Sequence, residues 1–425
     1  MRRTALEWGG RSKHTQAMPQ TKAALLALLL ACAGAPVLPV APAHANSIDA
    51  TREAGRDYTH IARQGERLAQ RIVDEARIPG LMLVVVQDDR VLTARGFGVA
   101  NVRTREPVTP DTAFRVASLS KGFAATLAAL LVRDGALSWD TRISNYLTAF
   151  RLADVEGSQN LTVRDVLSHR VGLPYHALDN DLEADQPYPL LVAKLGETPI
   201  ICRPGDCYGY QNIAFSLIGD IAFAVTGDFY SRLVEKRLFH PLGMYGATFG
   251  RDALESSPSW AAPHVRGRGG WVPVRPKETY YRVPPAAGVN ASARDLAQWL
   301  IAQLGHRPEV LPPDLLREVH TPQVRTPDQL GGSPWRRERL RNAHYALGWR
   351  SYDYSGHRLQ FHGGAVQGYR AMMGFLPDHG LGVAVIWNSE SPAPSGLFPT
   401  LIDRALGLPQ RDWLQLERHA ARGAR

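Results

Sequence analysis

Lysine is scarce in this chain. Of 49 basic residues only six are lysine, and beyond residue 45 only Lys121, Lys194, Lys236 and Lys277 remain. Cysteine is scarcer still, at three, which excludes a disulfide-dense scaffold and leaves too few thiols for a four-cysteine zinc site. No apolar run of 18 residues occurs beyond the N-terminal segment, so no membrane span is expected in the body of the chain. There is no His-Glu-x-x-His and no tight His/Cys cluster, so neither a metal nor a cofactor is called for. Positive charge is scattered apart from Arg336, Arg337, Arg339 and Arg341. No basic arm with interleaved aromatics exists, and nucleic acid is not an expected partner. Glycine (38) and proline (30) follow no period and no repeat is found, which excludes collagen-like and solenoid architectures.

What is present is an ordinary globular composition: 425 residues, 44% hydrophobic and 21% charged. The net charge of +9 is partly local. Residues 1–45 hold five basic residues against Glu7, so +5 stays with the rest. Within that segment, residues 18–45 read as an export signal. Lys22 is a short basic start, residues 23–33 are apolar, and Ala43-His44-Ala45 is a small-x-small cleavage site. A start at Met18 gives the more usual signal length. Leu30-Ala31-Cys32 is a weaker, alternative lipid-anchor signal. The protein is therefore expected to be periplasmic or secreted. In an oxidising compartment the two remaining thiols, Cys202 and Cys207, are expected to pair across the Pro204-Gly205 turn.

Along the chain, helical periodicity runs through Tyr58, Ile61, Leu68 and Ile72 and stops before Pro79-Gly80. LMLVVVQ (81–87) and RVLTARGFG (90–98) flank Asp88-Asp89 as a β-hairpin. Ser118 to Arg133 reads as a strongly apolar helix, and 161–300 as mostly helical. The stretch 253–286 shows no clear element. Strands are expected at 357–364, 369–376 and 381–388. Strands at both ends with helices between imply an α/β (α+β) fold. One antiparallel sheet is built from both chain ends and flanked by helices, with an inserted helical lobe. The expected division is a signal at 1–45, one main domain at 46–412 and a basic tail at 413–425. Within the domain the sheet lobe takes about 46–117 and 280–412, and the helical lobe 118–279.

Chemistry is carried by a Ser-x-x-Lys. With 19 serines and four lysines after residue 45, the pattern arises by chance only about 0.2 times. It occurs once, as Ser118-Leu119-Ser120-Lys121 at the start of the apolar helix. One helical turn brings Lys121 beside Ser118. A desolvated lysine can act as base for a serine hydroxyl, and the helix N-terminus favours an oxyanion. Two further segments follow in order: Tyr210-Gln211-Asn212, and His362-Gly363-Gly364 on a late strand.

This ordered trio resembles the Ser-x-x-Lys, Tyr-x-Asn and Lys-Thr-Gly motifs of class C β-lactamases and their relatives, the DD-peptidases, D-aminopeptidases and β-lactamase-fold esterases. DTAFRVASLSKGF (111–123), LTVRDVLSHRVGLP (161–174) and HGGAVQGYRAMMGFLPDHGLGVAVIWN (362–388) resemble the same family, and the resemblance spans about 55–410. It implies Ser118 as acyl-accepting nucleophile, Lys121 as general base, alone or shared with Tyr210, and Tyr210 as donor to the leaving group. It further implies Asn212 as a ligand of the substrate amide, with the backbone N–H groups of Ser118 and Ala365 as oxyanion hole beside Gly363 and Gly364. His169 is read as structural. His362 departs from the family lysine; a histidine titrating near neutrality is expected there, in contact with a substrate carboxylate. The implied activity is hydrolysis of an amide or ester through an acyl-enzyme. The alternative is a penicillin-binding sensor that acylates without turnover. Implied partners are a small-molecule or peptide substrate, with cell-wall peptidoglycan fragments as one candidate.

Overall fold

The computed structural model describes residues 57–418. The expected signal segment, with Met18, Cys32 and Ala43–Ala45, and the last residues of the expected basic tail lie outside the described residues. The fold is mixed α/β, with a large antiparallel sheet flanked by helices. Its eight strands are β1 (Gly80–Gln87), β2 (Arg90–Gly98), β3 (Val324–Arg325), β4 (Leu340–Tyr345), β5 (Arg350–Tyr354), β6 (His357–Val366), β7 (Tyr369–Leu376) and β8 (Leu381–Trp387). They run in the order β2-β1-β8-β7-β6-β5-β4-β3, so the N-terminal hairpin pairs with the last strand of the C-terminal meander.

Strand β1 explains why its sequence is almost continuously apolar. Successive side chains point to opposite faces, and both faces are covered. Leu81, Leu83 and Val85 pack under helices α1 (Thr59–Glu75) and α5 (Leu397–Ala405). Met82, Val84 and Val86 join the core that holds α2 (Ser120–Arg133), α3 (Ile213–Thr226) and α4 (Ala293–Gln303). Helix α2 is buried from Ser120 to Leu131, with Phe123 stacked on Trp299 of α4 at 3.9 Å. It therefore forms the spine of the helical layer.

Three expectations need adjustment. The apolar helix begins at Ser120, not Ser118, because a 3-10 turn over Ala117–Leu119 precedes it. The stretch 253–286 is not featureless. It holds a short helix (Arg251–Glu255), a hairpin (His264–Gly267 with Gly270–Pro273) and a turn of helix at Pro284–Ala287. Strands β4 and β5 were not anticipated, because their burial does not follow a strict alternation that their composition would announce.

Candidate active site

The site is assembled where the Ser118 turn meets strand β6. Ala117 has a positive φ of 50°, a conformation uncommon for a residue with a Cβ. It is held by neighbours on both sides: Val116 N–H donates to Val289 O, and the Ser120 hydroxyl donates to Ala117 O while accepting from Val289 N–H. The second serine of the motif is thus consumed by the turn, and Ser118 is left to face the cavity. Strand β6 approaches this turn closely because position 364 is glycine. A Cβ there would lie 2.6 Å from Val116 O and 3.2 Å from Ser118 N. Strand β6 also outruns its partner β5. The pairing ends at Arg350↔Phe361, while β6 continues against β7 to Val366↔Tyr369. Gly363, Gly364 and Ala365 therefore line the cavity on a stretch of edge that β5 does not cover, with Ala365 exposed.

Lys121 is fully buried, and its surroundings decide its chemistry. Its Nζ lies 2.7 Å from Asn212 Oδ1, 3.1 Å from Ala286 O and 3.3 Å from Ser118 Oγ. Burial pushes the amine well below the ordinary lysine range, and the Arg350 cation adds to this against the opposing Asp179 carboxylate. A neutral amine has two N–H donors and one lone pair. The amide oxygen and the carbonyl can only accept, so they take both donors and leave the lone pair for the Ser118 hydroxyl. Tyr210 is shifted the other way. Burial raises its phenol above the ordinary range, opposed by a hydrogen bond with the Ser118 side chain. It is therefore a proton donor, with Lys121 Nζ 4.7 Å from its ring centroid.

The structure brings Ser118, Lys121, Tyr210 and Asn212 together and places Gly363, Gly364 and Ala365 beside them. Ser118, Tyr210, Asn212 and the three strand residues line a cavity of about 690 Å³, with Lys121 buried behind it. Asn212 is held at both ends, because its Nδ2–H donates to Asp179 Oδ2 over 2.7 Å. Cys202 and Cys207 are disulfide-bonded, and the loop docks on the backbone of His169 and Gly172. Ile201 N–H donates to Gly172 O and Gly209 N–H donates to His169 O, which leads the chain straight into Tyr210. His169 is buried against the Tyr210 ring, at 4.4 Å between centroids, and its Nδ1 accepts from Gln211 N–H.

His362 requires a correction. It is 1% exposed and does not line the cavity. Its Nδ1 lies 2.7 Å from Gly363 O, which can only accept, so the proton sits on Nδ1; Nε2 then accepts from the Tyr345 hydroxyl at 3.1 Å. Burial, aided by the Arg350 charge, holds the ring well below the ordinary histidine range. A neutral imidazole with both nitrogens engaged replaces the expected titrating contact. The sequence reading also passed over Asp179, Tyr345 and Arg350. Arg350 lines the cavity with its guanidinium 5.5 Å from the Tyr210 ring centroid and 5.6 Å from that of Tyr345. None of the three sits in a recognisable spacing, although Tyr345 and Arg350 flank a Gly348-Trp349 turn, a hairpin signal in the sequence.

Comparison with known proteins agrees with this geometry. Residues 66–406 match the Beta-lactamase family profile. An unguisins hydrolase of Aspergillus campestris is 27% identical over 388 residues, spanning 86% of this chain and 69% of that protein. Among solved structures, the octameric penicillin-binding protein homologue from Pyrococcus abyssi aligns with a TM-score of 0.72 at 24% identity, covering 82% of this chain and 78% of that one. EstCE1, a hydrolase with promiscuous acyltransferase activity, aligns at 0.69 and 19% identity over 81% of this chain and 98% of that one. With the family match covering most of the chain and the serine, lysine and tyrosine in contact, the protein belongs to the Beta-lactamase family of serine hydrolases.

Proposed function

We propose that the protein hydrolyses an amide or ester through an acyl-enzyme on Ser118, in the manner of a DD-peptidase, D-aminopeptidase, esterase or β-lactamase. The observation that carries this reading is the buried Lys121, whose lone pair is left for the Ser118 hydroxyl once Asn212 and Ala286 have taken its N–H groups. Lys121 Nζ takes the Ser118 proton as Oγ bonds to the carbonyl carbon. Backbone N–H groups at the Ser118 turn and at Ala365 stabilise the oxyanion. The C–N or C–O bond then breaks, and the leaving group takes a proton from Tyr210, which recovers it from Lys121. Water repeats the cycle on the ester, releasing the acid and restoring Ser118. Asn212 holds Lys121 in place and offers its second amide N–H to the substrate.

Export belongs to this reading. The Cys202–Cys207 bridge suits an oxidising compartment, in keeping with the Ala43-His44-Ala45 cleavage signal. The test is intact mass after incubation with a fluorescent penicillin, a p-nitrophenyl ester and a D-Ala-D-Ala peptide. A transient adduct on Ser118 that clears with product release is expected, and Ser118→Ala abolishes it. Full-stoichiometry labelling of Ser118→Ala would remove this serine from the mechanism.

A further inference from the structure

Three carboxylates line the cavity and none is used by the proposed chemistry; Asp328 and Glu390 are exposed, whereas Asp179 is buried. Asp179 lines the same cavity as Ser118, and its side chain is only 10% exposed. Its Oδ2 is heavily engaged. It accepts from Asn212 Nδ2–H at 2.7 Å, from His176 Nδ1–H at 2.7 Å and, at 3.5 Å, from the Tyr280 hydroxyl. Its Oδ1 is buried and has no hydrogen-bond partner. Among the described residues no lysine or arginine forms an ion pair with it; Lys277 is spent on Glu183 and Arg282 on Asp185. A buried carboxylate oxygen without a donor is costly and calls for a water, an ion or a ligand group to complete it.

The location indicates what that ligand carries. Polar contacts run from Ser118 Oγ through Lys121 Nζ and Asn212 to Asp179. Asp179 thus stands on the Asn212 side of the nucleophile. Of the three arginines that line the cavity, Arg336 and Arg350 belong instead to the segments around strands β4 and β5, among Trp335, Tyr345 and Tyr352, and Arg370 on β7 donates to the backbone oxygens of Val366 and Tyr369. The acyl half of a substrate lying along Asn212 would bring a group near its attacked carbonyl to Asp179. Only a donor satisfies Oδ1, and a cationic donor also offsets the buried negative charge.

Resting on the acyl-enzyme reading above, we infer that Asp179 recognises a primary ammonium group on the acyl half of the substrate, so that the preferred substrates are amides or esters of amino acids with a free amine. N-acylated substrates place a neutral amide against the carboxylate and lose the charge-assisted bond.

The experiment compares alanine and N-acetylalanine, each as p-nitroanilide and as methyl ester and in both enantiomers, with p-nitrophenyl butyrate as a neutral reference. Wild-type enzyme is expected to favour the free-amine member of at least one pair by about tenfold to a hundredfold in kcat/KM, the range for a hydrogen bond between charged groups. Asp179→Asn should bring that ratio close to one, and Asp179→Glu should restore part of it. If Asp179 only positions Asn212, both members of a pair fall together in Asp179→Asn and the ratio stands, which overturns the inference. Equal or better use of the N-acetyl compounds by wild-type enzyme overturns it as well, whatever the variants do. So does Ser118-dependent turnover of p-nitrophenyl butyrate with none of the alanine compounds cleaved, an outcome that leaves the acyl-enzyme reading intact. Butyrate hydrolysis by Ser118→Ala at the wild-type rate would instead remove that reading itself.

Discussion

Lys121 Nζ stands 2.7 Å from Asn212 Oδ1, a shorter contact than the 3.3 Å to Ser118 Oγ. The asparagine is thus a fixture of the lysine as well as a substrate ligand. Asn212→Ala frees one lysine N–H and lets the amine rotate. The expected cost is about tenfold to a hundredfold in kcat/KM, matching roughly 1–3 kcal/mol for a buried donor that has lost its partner. The loss should be seen with neutral esters as well as amides. Steady-state kinetics on both classes check it, and an effect confined to amides would limit Asn212 to substrate binding.

The lowered pKa of Lys121 has a consequence for stability. The unfolded chain keeps the lysine protonated up to about pH 10.4. The folded chain releases that proton at a much lower pH, because burial disfavours the ammonium. Between these two values the unfolded state binds more protons, so stability should rise with pH and level off near about pH 10.4. Lys121→Met removes the titrating group and should remove this rise. Denaturant unfolding of both proteins at a series of pH values measures it.

A buried His362 with both nitrogens bonded is neutral on either side of neutrality. The KM ratio between a carboxylate-bearing substrate and its methyl ester should therefore stay within about twofold from pH 6 to pH 8. A steep rise in that ratio with pH, abolished in His362→Asn, would show a charged histidine holding the carboxylate.

Gly364→Ala should be severe for a steric reason. The added carbon would meet Val116 O at 2.6 Å, and that carbonyl belongs to the turn that aims Ser118. Overpacking of this kind costs about 1–3 kcal/mol. Part of the cost falls on nucleophile placement, so kcat should drop further than the melting temperature alone suggests. Acylation rates and thermal melts measured together separate the two.

The Cys202–Cys207 bridge closes a short loop, so its removal should cost only about 2 kcal/mol of stability. Because the same loop docks on His169 and Gly172 before reaching Tyr210, the double Cys→Ser variant should lose more in kcat than in KM. Kinetics at a temperature well below its melting point test this. Unchanged kcat would confine the bridge to stability.

Features set by neighbours along the chain could be read from the residues alone. The Ser118–Lys121 contact follows from one helical turn, and the β1–β2 hairpin from two apolar runs around Asp88-Asp89. The order of strands and helices is legible in the same way, although the β1–β8 pairing that closes the sheet joins residues about 300 positions apart. Other properties depended on residues far apart in sequence. The Lys121 amine is pushed far below the ordinary lysine range because the packed interior desolvates it and Arg350, more than 200 positions away, adds its charge, while Asn212 and Ala286, 91 and 165 positions on, take its N–H groups. His362 lost its expected charge because Tyr345 and Gly363 claim its nitrogens in the packed interior. Asp179 entered the site only through its bond to Asn212, 33 residues on. Residue types and local spacing named the reacting groups. Their protonation and the unfilled oxygen of Asp179 came from desolvation and long-range contacts, which no local pattern encodes.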